Sequence, residues 1–154
     1  MNICQLLSPT STQCCDKTTS KKKVLEKISE MMAESTDCKE KLIYESLLSR
    51  EKLGTTALGE GIAIPHARIK TCQCATAVFL LLDKPIDYDA PDGKPVDIIF
   101  SILVPENAGN AHLQHLAKIA KLLSDHQTIS QIRHAHSDEA LYEILEKAAD
   151  KLAD

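Results

Sequence analysis

The sequence predicts an α/β domain in which helices cover both faces of a sheet. Three observations carry that expectation. Two helical patterns open the chain, apolar strand-type runs follow, and further helical patterns close it. Apolar residues make up 44 % and charged residues 26 %, the balance of a chain that can bury a core. The 154 residues show no internal repeat, low-complexity tract or linker, so residues 1–154 are expected to form one domain. Aromatics are only 3 % and Trp is absent, so the core must be aliphatic.

From Lys22 to about Met32, Val24, Leu25, Ile28, Met31 and Met32 recur at helical spacing. Asp37 and Glu40 have the D-x-x-E form of a capping box and open a second helix, with Leu42, Ile43, Leu47 and Leu48 on one side. Gly54, Gly59 and Gly61, with Thr55 and Thr56 among them, mark a loop whose backbone comes close to something. Ile62–Ile64 reads as a short strand, and Ala75–Leu82 and Asp97–Val104 as buried ones. Pro91, Asp92 and Gly93 between the last two form a tight turn. A helix follows over His112–Ser124, carrying Leu113, Leu116, Ile119, Ala120 and Leu123, and a short helical stretch over Ile129–Arg133. Ser137 caps a final helix, with Asp138 and Glu139 at its positive end and Leu141, Ile144, Leu145 and Ala148 on its apolar face.

Charge and cysteine content exclude several function classes. The net charge is −4 and Lys21–Lys23 is the one cationic run, read as a solvated helix face, so neither nucleic acid nor an anionic membrane is an expected partner. The opening residues MNICQLLSPTST lack the charged start and apolar stretch of a secretory leader. The longest apolar run, Ala75–Leu82, is far short of the roughly 20 residues that span a bilayer. A cytoplasmic protein with no membrane insertion is expected. Its six cysteines (Cys4, Cys14, Cys15, Cys38, Cys72, Cys74) should then stay reduced. Their spacings do not pair as zinc ligands do, so no metal site is expected and the bland reading is free thiols. Cys14 and Cys15 are adjacent, and Cys72 and Cys74 would share one face of a strand. Gly59-x-Gly61 is not a dinucleotide fingerprint: the third glycine is missing and the loop precedes a strand.

His66 is the residue that invites chemistry. Pro65 removes an N–H and fixes φ, which stops the run Ile62–Ile64 and leaves a titratable ring at its end. The glycine-threonine loop just before it holds hydroxyls and bare backbone, the materials of a phosphate cradle. A histidine with an ordinary pKa near about 6.5 is largely neutral at cytoplasmic pH, as a nucleophile must be.

The stretch EKLGTTALGEGIAIPHA (residues 51–67) resembles the histidine motif of the fructose/mannitol-type IIA proteins of the bacterial phosphoenolpyruvate-dependent phosphotransferase system. LLSREKLGTT, KPIDYDAPDGKPVDIIFSILVP and AHLQHLAKIAKLLSD extend the resemblance in the same order over roughly Pro9 to Lys147. Among the branches of that family, the chain looks most like the nitrogen-regulatory IIA proteins. Thr55 stands where Ser is frequent and Ala67 where Gly is, small changes that leave the motif intact.

The resemblance implies a three-layer α/β/α sandwich around a mixed sheet. It implies that His66 accepts a phosphoryl group on Nε2 from an HPr-like carrier, as a phosphotransferase with no organic cofactor of its own. Arg50 matches the family's active-site arginine, whose fork of donors suits a phosphoryl dianion. His112 matches its second histidine, and Thr56 aligns with a loop hydroxyl that could hydrogen-bond the phosphate. His115 has no counterpart there, and His126, His134 and His136 read as surface residues. Downstream, the phosphate is either a state mark for regulatory protein targets in nitrogen or ion homeostasis, the favoured reading, or cargo for a separate sugar-specific IIB domain. A module whose binding ignores phosphorylation is the alternative from another class.

Overall fold

The computed structural model describes residues 6–152. After a 3-10 turn at Pro9–Ser11, the chain forms β1 (Thr12–Asp16), α1 (Lys21–Ser35), α2 (Glu40–Lys52), β2 (Ala57–Gly59), β3 (Ile62–Ala63) and β4 (His66–Ile69). Two long strands follow, β5 (Thr76–Ile86) and β6 (Val96–Pro105), then α3 (Asn110–Leu122), α4 (His126–Arg133) and α5 (Asp138–Leu152). The sheet runs in the order β1-β5-β6-β3-β2, with β4 also paired to β6. Its pairings are mixed: β1 with β5, β3 with β6 and β4 with β6 are parallel, while β5 with β6 and β2 with β3 are antiparallel.

Strand alternation divides the core into two layers. Ala77, Phe79 and Leu81 of β5 and Ile98, Phe100, Ile102 and Val104 of β6 point to one face, where they meet Ile119, Ile132, Leu141 and Leu145 from the last three helices. The intervening Val78, Leu80, Leu82, Ile99 and Leu103 point to the other, under Val24, Leu25, Ile28 and Met32 of α1 and Ile43 and Leu47 of α2. This is the three-layer α/β/α sandwich that the resemblance implies. β5 and β6 read as continuous apolar runs because both of their faces are covered.

Several local expectations change. α2 starts at Glu40 behind Lys39, and no side chain caps it. The turn is organised instead by Thr36, whose hydroxyl donates to the Met32 carbonyl (2.8 Å) and accepts from the Cys38 N–H (3.2 Å), so Asp37 caps nothing. Cys72 and Cys74 lie in the turn between β4 and β5, one buried and one exposed, and share no strand face. Cys4 lies outside the described residues. Ser137 does cap α5, accepting the Ala140 N–H at 3.1 Å.

The glycine-rich segment is a hairpin of the sheet rather than an open loop. Gly61 has φ of 82°, and its carbonyl accepts the N–H groups of Asp97 (3.0 Å) and Ile98 (3.1 Å). A Cβ there would press on Arg133 and on the Asp97 carboxylate, which are themselves paired at 2.9 Å. The backbone thus comes close to an ion pair, and the glycine is needed both for conformation and for room. We expect Gly61→Ala to lower stability by about 1–3 kcal/mol, the cost of a left-handed residue plus the displaced pair. Urea unfolding with an unchanged midpoint would contradict this reading.

Candidate functional site

β6 is hydrogen-bonded along one edge by β5, and the opposite edge is covered in two pieces, β3 and β4, with Ile64 and Pro65 between. Proline has no N–H to give β6, but its carbonyl accepts twice, from the Ile102 N–H (3.2 Å) and from the buried Ser101 hydroxyl (2.8 Å). The chain is therefore pinned at Pro65 and resumes as β4, with His66 opposite Ile102. His66 is the first residue of a strand, not the terminus of one, which corrects the sequence expectation.

His66 Nδ1 lies 2.9 Å from the Ile64 carbonyl oxygen. A carbonyl can only accept, so Nδ1 carries the proton and the lone pair of the neutral ring sits on Nε2. Burial lowers the His66 pKa below its ordinary value; the Ile64 carbonyl pulls it back up, and the Arg50 cation again presses it down. The ring is thus neutral near pH 7, with its free lone pair on Nε2.

The cavity at this ring, about 640 Å³, is lined by Ser46 and Arg50 of α2, His66, Ala67 and Arg68, and Gly109, Asn110, His112 and Leu113 at the start of α3. Three of the four sequence-predicted residues meet there. Arg50, in the last turn of α2, is held by its Nη1 on the Gly54 carbonyl at 2.8 Å. His112 brings its ring centroid to 5.3 Å from that of His66, at an interplanar angle of 48°. It is 8 % exposed, and its Nδ1 is buried without a hydrogen-bond partner. Burial, then the neighbouring His66 and Arg68, push its pKa down to about 4. The first turn of α3 has no acidic residue and Gly109 provides no side-chain cap, so this wall of the cavity is the positive end of a helix dipole.

Thr56 sits elsewhere. It is 4 % exposed, and its hydroxyl and N–H both donate to the carboxylate of Glu51. That buried carboxylate also accepts from the Tyr88 hydroxyl (3.1 Å) and pairs with Lys21 (3.0 Å), so it ties α1, α2 and the β5–β6 connection to the hairpin. Sequence reading missed Arg68 and Glu51. Strand alternation places Arg68, two residues past His66, on the same face of β4, a signal available had β4 been recognised. Among the described residues, no group of three or more His, Cys, Asp or Glu side chains is arranged to hold a metal ion, and no helix is long and apolar enough to cross a membrane.

A bare imidazole nitrogen, two arginines and a helix N-terminus thus line one cavity, a set of groups that suits a tetrahedral dianion. The chain belongs to the family described as the phosphoenolpyruvate-dependent sugar phosphotransferase system, EIIA 2, whose model matches residues 5–148. It is similar to the nitrogen regulatory protein of Bradyrhizobium diazoefficiens, 41 % identical over 145 residues, 94 % of this chain and 95 % of that one. The crystal structure of the nitrogen regulatory protein IIA-Ntr from Neisseria meningitidis has a TM-score of 0.87 and 37 % identity, covering 93 % of this chain and 98 % of that one. The same fold occurs in the complex of IIA mannitol with phosphorylated IIB mannitol from Escherichia coli, with a TM-score of 0.69 and 20 % identity over 86 % of this chain and 92 % of that one.

A histidine held neutral by the fold carries a pH signature. The folded pKa of His112, about 4, lies below the ordinary 6.5, so between those values the unfolded chain binds more protons than the native one. The stability this ring preserves is fully present above pH 6.5 and is lost as pH falls toward 4, at up to about 1.4 kcal/mol per pH unit. Denaturant unfolding from pH 7 to 4 should show a shallower fall for His112→Asn than for the wild-type chain. Equal slopes would mean that His112 is not desolvated as described.

Proposed function

We propose that His66 carries the phosphoryl group on Nε2, receives it from the phosphohistidine of an HPr-like carrier, and serves mainly as a state mark read by regulatory partners. The observation that carries this reading is the Nδ1–H to Ile64 carbonyl bond at 2.9 Å, which leaves Nε2 as the nitrogen able to attack. In the transfer, Nε2 forms a bond to phosphorus as the bond from phosphorus to the carrier's ring nitrogen breaks. The transition state is loose, so the protein's task is positioning and charge balance. As Nε2 gives up its lone pair the His66 ring gains positive character, and its Nδ1–H bond to the carbonyl strengthens in step.

Arg50 and Arg68 face the cavity as the cations for the incoming dianion, and the start of α3 adds its dipole. His112 is the neutral partner ring beside the acceptor, its centroid 5.3 Å from that of His66. Thr56 contributes through Glu51, holding the segment that leads to His66. Leu113 is 63 % exposed at the cavity rim, an apolar foothold for a docking protein.

The regulatory output rests on the similarity to nitrogen regulatory proteins along most of both chains. A dianion on a neutral ring changes the local charge by up to about two, enough to admit one partner and repel another. IIA proteins also donate to IIB domains, and a purified fructose- or mannitol-type IIB that removes the phosphate would move the reading toward sugar uptake.

Incubation with phosphoenolpyruvate, the first enzyme of the relay and an HPr-like carrier should add one phosphoryl group to the wild-type chain by intact mass, and none to His66→Ala. Arg50→Ala should slow the transfer by about 10²-fold, the usual loss on removing one charge-stabilising donor. A wild-type chain left unmodified by a carrier that phosphorylates a control IIA protein would sink the proposal in favour of a binding module that does not use phosphorylation.

A further inference from the structure

Cys14 and Cys15 stand in β1, an edge strand separated from β4 by β5 and β6, apart from the His66 cavity. In a regular strand, adjacent side chains point to opposite faces. Here they do not. β1 slips register against β5, with Gln13 opposite Leu80 and Asp16 opposite Leu82, so β1 holds one extra residue in that interval. Cys15 occupies the left-handed region at φ 59°, which is unfavourable for a residue with a Cβ. Together the bulge and this conformation bring the two sulfurs to 2.9 Å.

The two thiols are not equivalent. Cys15 is exposed and Cys14 half-buried. The Cys14 S–H donates to the Ala135 carbonyl at 3.1 Å, and its N–H donates to Asp138 Oδ1 at 2.7 Å, so its backbone is fastened to the start of α5. Burial first, then the contact with Cys15 and the Asp138 carboxylate, push the Cys14 thiol up to about 12, so it keeps its proton while Cys15 is the accessible nucleophile.

We propose that Cys14 and Cys15 form a redox-active vicinal dithiol, which small-molecule disulfides such as oxidised glutathione close to a vicinal disulfide. The Cys15 thiolate attacks one sulfur of the oxidant, forming a mixed disulfide and releasing one thiolate. With Cys15 in the mixed disulfide, its thiol no longer presses the Cys14 pKa up. Cys14 therefore loses its proton to solvent and attacks Cys15 Sγ as the thiolate, and the second thiolate leaves. The two protein thiols lose two electrons, the S–S bond of the oxidant is reduced to two thiols, and the two protons released by the protein balance them. Closure also withdraws the Cys14 S–H from the Ala135 carbonyl, at the turn between α4 and α5, so oxidation is felt where those helices meet β1.

The test treats the full chain with oxidised glutathione, blocks remaining thiols with N-ethylmaleimide and maps peptides by mass. A Cys4→Ser background is used because Cys4 shares a tryptic peptide with the pair. The expected peptide is lighter by two hydrogens, with neither Cys14 nor Cys15 alkylated and no glutathione attached. Adding Cys14→Ser should instead trap one glutathione on Cys15, because the resolving sulfur is gone. Exposed Cys74 is the internal control for oxidant reactivity. If Cys74 is glutathionylated while Cys14 and Cys15 are both alkylated, or if glutathione persists on Cys15 with Cys14 present, the proposal is overturned.

Discussion

The central constraint on this molecule is that β6, buried on both faces, must be hydrogen-bonded along both edges, while the sequence puts a proline in the chain covering one of them. A buried backbone amide or carbonyl without a partner is costly, so the defect at Pro65 has to be absorbed locally. It is absorbed by turning the proline carbonyl into a double acceptor, for the Ile102 N–H and the Ser101 hydroxyl. Ser101 is the fully buried polar side chain of β6, and this contact explains it. Once Pro65 is pinned, the Ile64 carbonyl is left to meet the His66 ring, and β4 carries His66 and Arg68 to the same side. The tautomer of His66 is thus a consequence of how one sheet edge is completed.

A second layer of order is electrostatic. Glu51 is a carboxylate at 7 % exposure, and Lys21, Tyr88 and Thr56 all direct hydrogen-bond donors at its oxygens. Arg50, the next residue back, points the other way, toward the cavity. One turn of α2 therefore serves both the anchor of the hairpin and the cation of the site. Such an arrangement adds less to stability than its contacts suggest, since desolvation offsets the attraction. What it does supply is a rigid mount for the segment leading to His66, which phosphoryl transfer requires more than it requires reactive groups.

The apolar periodicities made the helices and the two long strands legible in the sequence, because covered strands and half-covered helices have distinct patterns. β1 escaped notice: TQCCD offers no apolar alternation, and its strand character comes from pairing with β5. β4 was hidden because four residues after a proline carry too little pattern, and its register exists only through β6. The motif around His66 and the family resemblance singled out His66, Arg50 and His112, which the fold brings to one cavity. Thr56 could not be placed that way, since the Glu51 carboxylate that engages its hydroxyl is buried by α1 and the β5–β6 connection, distant in sequence. Arg68 was hidden along with β4, whose alternation places it, and the paired thiols of Cys14 and Cys15 arise from a bulge that no sequence pattern announces.

The chemistry proposed for this site depends on which nitrogen of His66 holds the proton. Long-range ¹H–¹⁵N NMR of the imidazole nitrogens at neutral pH reads this directly, before and after phosphorylation. The predicted result is a neutral ring protonated at Nδ1, with Nε2 showing the shift of a bare nitrogen that is lost when phosphorus is attached there. A ring protonated at Nε2 in the resting protein, or phosphorus on Nδ1 after transfer, would contradict it.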